Sequence, residues 1–144
     1  MYDRILVPTD GSDCAAVAIE HALELARRYE AEVHVLFVVD VRMGGQGNWA
    51  VDADNVFEAI REHGESVVEG VAEKVREADV PVTTTVVTGT PATEICDYAD
   101  EERCDLVVMG THGRSGLSRY LLGSVAERVV RQSDAPVMTV RAES

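Results

Sequence analysis

The residues best suited to chemistry are glycines. Gly110, Gly113, Gly116 and Gly123 punctuate one stretch that ends at Ser124, between a strand-like apolar run and a helical pattern. Glycine permits positive φ and lets backbone N–H groups approach an anion closely. A helix N-terminus adds unpaired donors and the positive end of the helix dipole. Phosphate is the anion that such an arrangement serves most often. The Ser124 hydroxyl and the fixed charge of Arg114 both suit phosphate oxygens. Structural roles compete with these. Ser124 and Glu127 spell S-x-x-E, a capping box that would keep the hydroxyl within its own helix. Asp10, just after the first apolar run, could cap the first helix. His112 reads as a solvated loop histidine, and Arg114 and Arg119 could pair with carboxylates.

These residues need a scaffold, and the chain supplies an alternating one. Five apolar, β-branched runs, Arg4–Pro8, Glu32–Val39, Val82–Thr88, Asp105–Gly110 and Pro136–Val140, read as strands buried on both faces. Helical spacing fills the intervals. From Ser12 to Glu30 the apolar positions are Ala15, Ile19, Ala22, Leu23 and Ala26, with Ser12 as N-cap. From Asp52 to Ala78 the stripe is Val56, Ile60, Val67, Val71 and Val75, with Glu58, Glu62, Glu65, Glu69 and Glu73 mostly off it. Thr90-Pro91 opens a third helix, because proline fits the first helical position. A fourth runs from Ser124 to Gln132 and is broken by Ser133–Pro136. Alternation of this kind predicts a mainly parallel sheet with helices on both faces. The segment Asp40–Val51, with three glycines and Trp49, reads either as a surface loop or as a flap beside the binding crevice.

Composition removes several function classes. The net charge of −13, with Lys74 the single lysine among 13 basic residues, disfavours nucleic acid and anionic membranes as partners. The same balance suits a protein kept soluble in a very salty cytoplasm, where salt screens mutual repulsion. No apolar run nears the ~20 residues of a membrane span, and the first residues lack the layout of a signal peptide, so a cytoplasmic protein is expected. Cys14, Cys96 and Cys104 show no CxxC spacing and read as small core residues. His21, His34 and His63 have no metal-ligand spacing. Neither G-x4-G-K-[ST] nor G-x-S-x-G occurs, so binding is better supported than turnover.

The spacing G-x2-G-x9-G-S, formed by Gly110, Gly113 and Gly123-Ser124, resembles the ATP-binding signature of the universal stress protein family. The opening Ile5–Ser12 and the ending Ala135–Val140 are similar to that family too, so the resemblance covers essentially the whole chain. It implies one α/β domain over residues 1–144, a doubly wound open sheet of five parallel strands in the order 3-2-1-4-5 with four helices. It also implies a bound ATP, ADP or AMP, and Asp10 could help hold a Mg2+ bound to the phosphates. Asp10 would lie by the ribose, with Pro8 and Thr9 on the adenine side and a backbone contact at Val38. Met109 and Gly110 would pass beneath the adenosine, and Gly113, Arg114, Gly123, Ser124 and Val125 would surround the phosphates. A homodimer would form through the last strand, by Val137, Met138 and Val140. The function implied is a stress-response or signalling module with little or no turnover, set against an interaction protein without nucleotide and a slow ATPase.

Overall fold

A computed structural model describes residues 1–42, 53–112 and 122–142. Nine elements alternate among the described residues: β1 (Arg4–Pro8), α1 (Asp13–Tyr29), β2 (Glu32–Asp40), α2 (Ala53–Glu77), β3 (Val82–Gly89), α3 (Pro91–Glu101), β4 (Leu106–Gly110), α4 (Ser124–Gln132) and β5 (Val137–Val140). The strands form one sheet in the order β3-β2-β1-β4-β5, and every pairing is parallel. Strand order reverses between β1 and β4. That is the switch point at which doubly wound sheets open a crevice.

Strand side chains alternate between two cores. Ile5, Val7, Val33, Val35, Val39 and Val108 face the layer of α1 and α2, while Leu6, Leu36, Val107 and Met109 face α3 and α4. Ile5, Leu6 and Val7 are wholly buried, as a central strand requires. β3 departs from the expected burial. It is an edge strand, mostly half-buried, with Thr83 and Thr88 exposed, so threonine at these positions serves a wet face. All three cysteines are buried and free.

Local signals account for most helix boundaries. The Ser12 hydroxyl accepts from the Ala15 amide at 3.2 Å and caps α1. Pro91 stands at the first position of α3 behind Thr90, but the Thr90 side chain makes no capping bond. On α2 the expected stripe shifts. Val56 is exposed, and Gly64, Val68 and Ala72 are buried beside Val75, because the helix rests on β2 by a slightly rotated face. Among the described residues, no helix is long and apolar enough to cross a membrane.

Candidate functional site

The crevice is a consequence of unequal strand lengths. Pairing of β1 with β2 ends at Pro8↔Leu36, and the Thr9 amide adds one last bond to the Leu36 carbonyl at 2.9 Å. The β2–β3 pairing continues to Asp40↔Gly89. Backbone groups alternate sides along a strand, so the Val38 amide and carbonyl point the way Leu36 points, beyond the end of β1. Among the described residues they have no strand partner, and they face the crevice as a donor and acceptor pair. A planar ring with adjacent acceptor and donor atoms is the complement of such an edge.

The chain leaves β1 through a tight turn. Gly11 has φ +81°, a conformation that favours glycine. The Thr9 hydroxyl accepts from the Gly11 amide at 3.2 Å, and Asp10 Oδ1 accepts from the Ser12 amide at 2.9 Å. Asp10 therefore braces the turn while Ser12 caps the helix. The reading of Asp10 as the cap of α1 is corrected accordingly, and its second carboxylate oxygen is left to the cavity.

Across the crevice, β4 ends at Gly110 and the chain is held at Thr111. The Thr111 amide donates to Val140 and its carbonyl accepts from the Gly123 amide at 2.7 Å. Gly123 is the N-cap of α4, with no side-chain capping bond, and the Glu127 amide donates to its carbonyl. Ser124 is thus the first residue inside the helix, and its capping box does not form. Glu127 instead reaches along the helix to Arg131 at 2.8 Å. Among the described residues, no side chain caps the amides of Ser124, Val125 and Ala126, and all three residues line the cavity. Such a cluster of first-turn donors favours an anion.

These ends enclose a cavity of about 630 Å³ at the carboxyl edge of the sheet. Of the residues expected at the site, Pro8, Thr9, Asp10, Val38, Met109, Gly110, Gly123, Ser124 and Val125 all line it. Gly113 and Arg114 lie outside the described residues, as do most of Asp40–Val51 and Trp49. Gly110 has a reason of its own to be glycine: a Cβ there would stand 2.8 Å from Cys14 Sγ and 3.0 Å from the Cys14 carbonyl carbon. Close packing of α1 on β4 demands it, whatever the ligand.

Further lining residues come from places that motif spacing does not mark. Phe37, Ile60 and His63 form a wall from β2 and α2, Pro91 and Ile95 contribute from α3, and Asp40 with Arg42 stands at the end of β2. Pro91 follows a strand's carboxyl end, which is the one sequence signal that could have indicated it. The Arg42 guanidinium holds Asp40 at 2.6 to 3.2 Å. Its hydrogen bonds keep the Asp40 carboxyl below the usual carboxylate range, against the opposing effect of burial. His112, half-buried, places Nδ1 3.0 Å from the Thr111 hydroxyl.

The chain is similar to known proteins over nearly its whole length. A sequence model of the universal stress protein family matches residues 1–141. Universal stress protein MJ0531 of Methanocaldococcus jannaschii is 39% identical, over 98% of this chain and 83% of the relative. The solved structure of MJ0577 superimposes with a TM-score of 0.90 at 30% identity, covering 100% of this chain and 99% of that one. A universal stress protein solved in complex with cAMP gives a TM-score of 0.75 at 25% identity, covering 99% of both chains.

Proposed function

The chain belongs to the universal stress protein family, and on that premise we propose that it is an adenine-nucleotide-binding module of a stress response in the cytoplasm. One observation carries the reading. A single cavity joins the uncapped amides of α4 to the unpaired backbone edge of Val38, so one ligand with an anionic end and a planar heteroaromatic end satisfies both. The cAMP complex of a relative supports a nucleotide as that ligand. The phosphates would lie against Gly123, Ser124 and Val125, and the ribose against Asp10. The base would lie against Val38 with Pro8 and Thr9. ATP is the leading candidate, with ADP and AMP as alternatives, and Asp10 is the carboxylate available to help hold a Mg2+ carried in on phosphates.

Binding with little or no turnover fits the described side chains. Asp40 is engaged by Arg42, and the free oxygen of Asp10 is assigned to the ribose rather than to a water at the phosphates. A homodimer through β5 completes the proposal. That strand closes one side of the sheet, and Met138 is exposed along it.

The test is to extract and identify any nucleotide that the purified protein retains, then to titrate ATP, ADP, AMP and cAMP calorimetrically while following phosphate release. Retained or tightly bound nucleotide without phosphate release is the expected result. Steady phosphate release would make the protein an ATPase, and failure to bind any of the four would make it an interaction module.

A further inference from the structure

Cavity-facing groups on α2 belong to no motif, and one of them can recognise a polar ligand. His63 is followed by Gly64, where a Cβ would stand 2.5 Å from Phe37 Cδ1. The Phe37 ring therefore lies directly on the helix backbone. His63 packs edge-to-face against that ring, with centroids 6.1 Å apart and planes at 85°. This contact keeps the imidazole on the cavity side of α2. Its Nε2 points at the β1–α1 turn, 4.0 Å from where a Cβ on Gly11 would stand.

Asp10 is the neighbour of Gly11 and lines the same cavity, with Oδ2 left over from the turn. Among the described residues, neither ring nitrogen of His63 has a hydrogen-bond partner. Two complementary groups thus converge on one corner. A carboxylate only accepts hydrogen bonds, whereas an imidazole donates from one nitrogen in either of its neutral forms. Each hydroxyl of a vicinal diol can donate to one and accept from the other. The corner also lies on the β2 side of the crevice, away from the α4 amides that suit phosphate.

We propose that His63 reads the sugar of the bound nucleotide, bracketing the ribose hydroxyls together with Asp10. The proposal rests on the nucleotide reading above and deepens it: His63 would make the site selective for ribonucleotides over deoxyribonucleotides.

Calorimetry on the full chain with ATP, 2′-deoxy-ATP, 3′-deoxy-ATP and 2′,3′-dideoxy-ATP tests it, comparing the natural protein with His63→Leu and His63→Gln. The natural protein should prefer ATP to the dideoxy analogue. His63→Leu should weaken ATP roughly three- to tenfold, the loss of one neutral hydrogen bond, and weaken the dideoxy analogue less than about twofold. His63→Gln, which keeps a donor at similar reach, should recover part of the preference. Equal weakening of ATP and its dideoxy analogue, or no weakening of either, would overturn the assignment of His63 while leaving nucleotide binding intact. A natural protein that binds none of the four would overturn the nucleotide reading and this proposal with it.

Discussion

Gly123 donates its amide to the Thr111 carbonyl at 2.7 Å, and this bond sets where α4 begins relative to the end of β4. Thr111 is itself fixed through its amide to Val140, so the helix start is tied to two adjacent strands. The donors of Ser124, Val125 and Ala126 are thereby aimed before any ligand arrives. Preorganised donors gain more from an anion than mobile ones, because no ordering entropy is lost on binding.

Gly123→Val should weaken nucleotide binding sharply by crowding the phosphate end of the cavity that Gly123 lines. Gly123 has φ −63° and ψ 156°, which any residue adopts, so the substitution introduces no backbone strain. A loss of affinity of about two orders of magnitude is expected, on the order of 3 kcal/mol. An unaltered calorimetric titration with ATP would remove Gly123 from the site.

Gly110→Ala should destabilise the protein through α1. The added methyl would press on Cys14 Sγ and on the Cys14 backbone, and overpacking of this kind costs about 1–3 kcal/mol. Cys14→Ala in the same chain should recover only part of the loss, since the backbone contact at 3.0 Å remains. Urea unfolding of both single variants and the double variant measures the coupling. Strict additivity would mean that the strain lies elsewhere.

Acid should erase one contribution at the opposite edge of the sheet. Glu32 accepts from His34 Nε2 at 2.9 Å and pairs with Arg4 Nε at 2.9 Å. The His34 hydrogen bond, opposed by burial and aided by the charges of His34 and Arg4, holds its carboxyl below the ordinary value of 4.5. A carboxylate depressed by folding stabilises fully above its unfolded value, and the effect is lost as pH falls through the folded one. Glu32→Gln should therefore be less stable than the natural protein near neutrality, with the gap closing as pH drops below 4.5. Because Glu32 is partly exposed, the gap should be modest. Urea unfolding across the acid range checks this, and a gap that stays constant would assign the effect to packing.

Met138→Asp should convert the proposed dimer into a monomer. Met138 is 36% exposed on β5, which among the described residues has no second strand neighbour in the sheet, and a charge there opposes its own copy across a two-fold contact. Sedimentation at micromolar concentration should show the natural protein as a dimer and the variant as a monomer. Identical sedimentation of the two would place any dimer contact elsewhere.

Much of the architecture can be read from local pattern. The bounds of β1 at Arg4–Pro8 and of α4 at Ser124–Gln132 coincide with the expected ones, because strand and helix periods arise from residues close in sequence. Pro8, Asp10 and Val38 entered as candidate site positions through the family resemblance, whereas Gly110 was also marked by its own glycine-rich stretch. Local patterns were weaker where two elements meet. The N-cap of α4 fell on Gly123, whose amide is bound to Thr111, so no Ser124–Glu127 box formed, and Val56 lost its expected place in the core.

By itself, then, the sequence determined the alternation of strands and helices, the parallel sheet and the glycine-marked helix start. Tertiary structure alone decided that β2 overshoots β1 and exposes the Val38 backbone, that Gly110 answers to Cys14, and that α2 carries His63 to the corner beside Asp10. The reason is physical. Periodicity and turn chemistry are set over a few bonds, whereas strand overhang and helix seating are set by packing between residues far apart in the chain.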